Sequence, residues 1–184
     1  MTKQNQSHQQ EVAPQGIDLD RSSTAADFSS QTIERTQANC GADLCHQLRL
    51  KLQQGNLLVV NPRRKNGLIL YKNYHAEFAG PGAIIGGRFD LNVSRLLAVG
   101  NLSLITPSSS QARKQAYKMR RQWVRLTKQI IDNPQPTERA QVILNQFEHW
   151  FDTETVADLP DEAFALLVGV LPQTIRKVRN IELL

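Results

Sequence analysis

The chain has only two cysteines, Cys40 and Cys45, among its 184 residues. Two are too few for the disulfide framework of a small secreted domain, so reduced thiols are the expectation. No run of about 18 apolar residues occurs, and no membrane-spanning helix is expected. The first residues, MTKQNQSHQQ, lack the apolar stretch of a secretory signal. The expectation is a cytoplasmic protein of bacterial type. Catalytic groupings are missing too. His8 and His46 sit in or near a polar tail, and His75 and His149 have no evident acid partner. Glu148, Asp152, Glu154 and Asp158 are strung along a helix end and a loop, a pattern of solubility rather than acid–base work. The glycine-rich run GPGAIIGG (80–87) lacks the Lys-Ser/Thr ending of a phosphate loop and reads as a sheet turn. Cys40, Cys45 and His46 offer fewer ligands than zinc usually takes. No enzyme, metal or cofactor is therefore expected.

What is present is charge, unevenly spread. Lys plus Arg number 22 against 17 Asp plus Glu, for a net charge of +5. Residues 1–45 carry 3 basic and 6 acidic groups, residues 46–110 carry 8 and 2, and residues 111–184 carry 11 and 9. A basic balance of this kind hints at polyanions. The first segment is rich in Gln, Ser, Thr and Asp. It has too little apolar surface to offset its ordering entropy, and residues 1–41 read as a disordered tail.

Beyond the tail the pattern is α+β. A short helix is expected over Ala42–Gln53, where Leu44, Leu48 and Leu52 recur every four residues. NLLVV (56–60) and GLILY (67–71) are apolar runs of strand length around the turn-forming NPRRKN, which reads as a β-hairpin. Further strands are expected through LLAVGNLSLI (96–105). The period then changes to helical. From Gln111 to Ile131 there is no Gly or Pro. Ala112, Ala116, Met119, Trp123, Leu126 and Ile130 form one apolar stripe, widened by Tyr117, Val124 and Ile131. Arg113, Lys114, Lys118, Arg120, Arg121, Arg125 and Lys128 occupy the other faces, with no acid among them. DNPQP ends that helix. Thr137 is then expected to cap a further helix with Ala140, Ile143, Leu144, Phe147 and Trp150 or Phe151 on one side. The reading is a tail at 1–41, a small β-rich unit at 42–110, a linking helix at 111–131 and a helical unit at 137–184.

The stretch DEAFALLVGVLPQTIRKVRN (161–180) carries the functional expectation. Asp161 and Glu162 suit the positive end of a helix dipole. Gly169 fits the left-handed residue that ends a helix, and Pro172 suits the first turn of the next. Val170, Ile175 and Val178 point inward, and the small Ala165 permits a close helix crossing. This is helix-turn-helix patterning. The run AFALLVGVLPQTIRKV resembles the reading motif of bacterial helix-turn-helix regulators. Its LVGV and TIR elements are most similar to those of the Crp/Fnr superfamily. That resemblance implies a β-rich region, then a dimerisation helix, then a DNA-reading unit, in the order seen here. The sheet region is shorter than that family's effector-binding roll. Neither its phosphate-binding Arg-Ser pattern nor an iron–sulfur cysteine set is present, so the resemblance does not extend to that family's effectors.

The resemblance implies DNA contacts from Pro172, Gln173, Thr174, Arg176, Lys177, Arg179 and Asn180. Gln173 would suit adenine edges and Arg176 or Lys177 guanine edges, with Thr174 and Arg179 on phosphates. Ala116, Met119, Trp123, Leu126 and Ile130 would form a dimer seam, making the partner double-stranded DNA and the assembly a homodimer. The stripe is too narrow for a membrane-surface helix. The alternative is a protein–protein adaptor that keeps the fold without reading DNA.

Overall fold

The structure, a computed structural model, describes residues 42–182, with side chains described over 45–180. The tail expected at 1–41 lies outside the described residues. The architecture is α+β: two small antiparallel sheets within residues 57–105, then a helical region.

Helix α1 (Ala42–Gln53) leads into β1 (Leu57–Val60), β2 (Asn66–Tyr71), β3 (Ala76–Ala79) and β4 (Ile84–Gly86). A 3-10 turn at Gly87–Phe89 follows, then β5 (Arg95–Gly100) and β6 (Leu104–Ile105). One sheet has the order β4-β1-β6 and the other β3-β2-β5. β1 and β2 therefore do not pair, and the expected hairpin across NPRRKN is corrected. That segment is a passage between sheets. The Asn66–Gly67 step, read as a turn, is the start of β2. Asn66 is buried, and its amide donates to the carbonyls of Asn61 (3.0 Å) and Arg64 (2.9 Å). Its Oδ1 accepts from the Ser103 amide at 3.1 Å. Gly67 lies against the Phe78 ring, which any Cβ there would strike. The hairpin that does form joins β2 to β3, pairing Leu68 with Ala79 and Tyr71 with Ala76.

The helical region begins with α2 (Ser110–Ile131), whose N-cap Ser109 accepts from the Ala112 amide at 3.0 Å. Helix α3 (Pro136–Trp150) starts at Pro136 with Gln135 at its cap, so the expected cap at Thr137 is corrected by two residues. Proline needs no amide partner there. Three shorter helices follow, α4 (Thr153–Ala157), α5 (Asp161–Val168) and α6 (Pro172–Glu182). None of the helices is long and apolar enough to cross a membrane.

The main hydrophobic core takes residues from both sheets and from every helix, α4 included through Val156, and a smaller cluster of Val59, Ile84, Ile105 and Ala116 lies between the first sheet and α2. The centre of the main core is aromatic. Phe78 on β3 packs on Trp123 of α2 and on Phe147, Trp150 and Phe151 at the end of α3, with ring centroids 4.9–6.0 Å apart. Trp123 meets Trp150 edge-on at 4.6 Å and donates from its indole to the Pro81 carbonyl at 3.3 Å. Phe147 continues the chain of rings to Phe164 on α5. Such contacts add roughly 0.5–1.5 kcal/mol per pair beyond burial. Cys45 is disulfide-bonded, which corrects the expectation of reduced thiols.

Candidate nucleic-acid interface

The turn between α5 and α6 is built as its sequence suggests. Gly169 has φ 64° and ψ 47°, and both its amide and that of Val170 return to the Ala165 carbonyl, the latter at 3.0 Å. A left-handed residue closing two such bonds reverses the chain at once. Arg139 of α3 donates to the Gly169 carbonyl at 3.1 Å and to the Asn133 carbonyl at 3.2 Å, tying the turn to the helix below. Ile175 and Val178 are buried on the inner side of α6, and Ala165 is buried on α5. Val170 is half-buried.

The expected reading residues separate into two groups. Gln173, Arg176, Lys177 and Asn180 are exposed along one face of α6 at spacings of three to four. Pro172 and Thr174 are half-buried in its first turn. Arg179 is different. One guanidinium nitrogen donates to the carbonyls of Val156 (3.2 Å) and Leu159 (2.9 Å), and the other lies 3.4 Å from Asp161. The group also sits 5.1 Å from the Phe164 ring centroid. Arg179 thus ties α6 to the α4–α5 segment, unlike the four exposed residues. Arg176 keeps 67% of its side chain exposed, although its Nε approaches Asp161 at 3.3 Å.

The expected dimer seam is occupied by the chain itself. Ala116, Trp123 and Ile130 are buried and Met119 and Leu126 half-buried, with α2 packed on β3, β4, α3 and α5. Helical periodicity marks an apolar face, but it does not say whether the same chain or a second copy covers it. Here the same chain does. Val124 and Ile131, expected in the stripe, instead stay 42% exposed at its edge.

Arg120, which the sequence pattern places on the outer faces of α2, is buried. Its Nη2 reaches Glu77 at 2.5 Å and Asp90 at 3.3 Å. Lys72 binds the same carboxylates at 2.6 and 3.7 Å. Asp90 also accepts the Gly86 amide at 2.7 Å. Burial pushes the Glu77 pKa up, but hydrogen bonds from Lys72 and Arg120 and the charge of both outweigh it and hold it at about 2. The signal in the sequence was position. Arg120 stands four residues after Ala116 and three before Trp123, inside the apolar arc.

These two carboxylates are the only ones in residues 46–131, which carry fifteen Lys or Arg. Residues 132–184 carry four Lys or Arg against nine Asp or Glu. Helix α6 thus stands in the more acidic part of the described chain. Five acids and no base lie between Asp152 and Glu162. Among the described residues, no group of three or more His, Cys, Asp or Glu is arranged to hold a metal ion. No known protein family, curated protein or solved structure matches the chain.

Proposed function

We propose that this protein is a sequence-specific DNA-binding transcriptional regulator that reads the major groove with α6. The observation that carries the reading is the open outer face of that helix. Gln173, Arg176, Lys177 and Asn180 stand free of covering chain beyond a tight left-handed turn, over a core of Ile175 and Val178. Amide and guanidinium groups at this spacing suit adenine and guanine edges. The similarity of AFALLVGVLPQTIRKV to Crp/Fnr reading motifs supports it. Any two-fold assembly on DNA needs a surface other than the buried face of α2.

Selection of binding sites from random duplex DNA at about physiological salt tests the proposal. A recovered motif, weakened about 10- to 100-fold in affinity by Arg176→Ala or Lys177→Ala, is the expected outcome. A selection that enriches nothing would remove it.

A second reading, a protein–protein adaptor, is favoured by one feature. A cleft of about 400 Å³ opens between the β2–β3 turn, α2 and the end of α5. Tyr74, 91% exposed, and the exposed Val124 and Ile131 line it beside Ala165, Leu166 and Val170. Co-purification of a partner that Val124→Asp releases, with no DNA affinity, would favour the adaptor.

A further inference from the structure

Helix α2 carries two ridges. The buried one runs Ala112, Ala116, Met119, Trp123, Leu126 and Ile130. The second, Lys114, Lys118, Arg121, Arg125 and Lys128, repeats the same four-three spacing displaced by two residues. Two residues correspond to about 200° around a helix, so the basic ridge points directly away from the core. All five side chains are exposed. Lys128 has a partner in Asp132 at 2.8 Å. Lys114, Lys118, Arg121 and Arg125 meet no carboxylate among the described residues. Gln111, Gln115, Gln122 and Gln129, also exposed, flank the ridge with further hydrogen-bond donors.

A solvated helix face ordinarily interleaves acids with bases at three and four residues, because such pairs stabilise it and like charges do the reverse. Helix α2 has no acid in 22 residues. The two carboxylates of residues 46–131, Glu77 and Asp90, are paired with Lys72 and Arg120. Among the described residues, the repulsion between Lys114, Lys118, Arg121 and Arg125 is therefore left uncompensated.

We infer that this ridge is a binding surface for the phosphate backbone of a nucleic-acid duplex, separate from α6. Lys114 to Arg125 spans about 16 Å along the axis. A duplex carries roughly ten phosphate charges over that length, so every cation of the ridge can meet one. An anionic membrane fits less well. A helix lying on a bilayer buries its apolar face in lipid, and the apolar face of α2 is already covered by β3, β4, α3 and α5. The inference rests on the reading of this chain as a nucleic-acid binder, and it does not require α6 to read bases.

The test is fluorescence anisotropy of the full chain with a random-sequence 30-base-pair duplex (a length of about three DNA turns) over a range of salt. Lys114→Gln, Lys118→Gln, Arg121→Gln and Arg125→Gln are combined in one variant, whose circular dichroism and thermal midpoint check that it folds. Wild type is expected to bind. The variant is expected to lose about 3–4 from the slope of log affinity against log salt, and at least about tenfold in affinity at ~0.1 M salt. An unchanged slope overturns the inference, as does wild type that binds phosphatidylserine vesicles but no duplex. If α6 reads nothing yet the ridge grips, random duplexes bind and no motif is ever selected. If the ridge is idle yet α6 reads, a motif is selected and the four glutamines leave its affinity unchanged.

Discussion

Two regions of this protein, residues 46–131 and 132–184, share a core and differ in charge. Residues 46–131 hold fifteen bases and two acids, residues 132–184 four bases and nine acids. The helix with the open, amide- and guanidinium-bearing face lies in the second region, while the basic ridge, four of whose cations meet no carboxylate among the described residues, lies in the first. The difference teaches that sequence reading and electrostatic attachment need not come from one element. Phosphate contacts supply affinity and steering, and base contacts supply discrimination. Under the proposed function, a reading helix among acids would bind DNA weakly by itself, which would suit an element that chooses rather than holds.

That division depends on the two regions being locked together, and the aromatic cluster is the lock. Trp123→Ala removes the ring that meets Phe78 and Trp150 and is expected to cost about 3–5 kcal/mol. Chemical denaturation read by circular dichroism checks it. A loss in only one region, seen as two separate transitions, would break the picture of a continuous core.

Arg120→Ala comes next. It leaves Glu77 and Asp90 enclosed with Lys72 as their remaining strong partner, besides His75, 3.3 Å from Glu77. About 3 kcal/mol of destabilisation is expected at pH 7. The same cluster sets an acid limit. Because the Glu77 pKa is lowered from 4.5 to about 2 on folding, its contribution is complete above pH ~4.5. It is lost as pH falls toward 2, and it amounts to something on the order of 2–3 kcal/mol. Urea midpoints at pH 7 and pH 3 for wild type and Glu77→Gln check the sign: the wild type should lose more between the two.

Gly169→Ala sharpens the comparison on the acidic side. A Cβ there meets nothing within 4 Å, so the cost is only the left-handed backbone, about 1–2 kcal/mol. The smallest effect is expected at the seam of the two charge regions. Arg95 lies 3.0 Å from Glu162, and both side chains are more than half exposed. Arg95→Ala should change stability by less than about 1 kcal/mol through this pair, with thermal denaturation as the check.

Much of the fold is legible in the sequence. Helix α1 runs from Ala42 to Gln53 as its leucine spacing implies, and α2 ends at Ile131, where DNPQP stops it. The turn at Gly169 follows from local backbone chemistry. Strand pairing does not, because NPRRKN looks like a hairpin loop until Asn66 is seen binding Asn61, Arg64 and Ser103, the last 37 residues away. The inward turn of Arg120 was hidden for a related reason: its partners, Glu77 and Asp90, lie 43 and 30 residues earlier. The same holds for Arg179, whose partners are loop carbonyls that no side-chain pattern announces. The exposed face of α6 was readable, since helical spacing alone separates Gln173, Arg176, Lys177 and Asn180 from Ile175 and Val178.

The most direct measurement compares two variants on two duplexes. One variant carries the four α2 glutamines, the other Arg176→Ala with Lys177→Ala. One duplex is a site recovered by selection and the other is random. The ridge variant is predicted to lose affinity for both duplexes by about the same factor, leaving their ratio intact. The α6 variant is predicted to lose that ratio while keeping its hold on random DNA. The reverse pattern, with discrimination lost from the ridge and attachment lost from α6, would contradict the separation of the two roles.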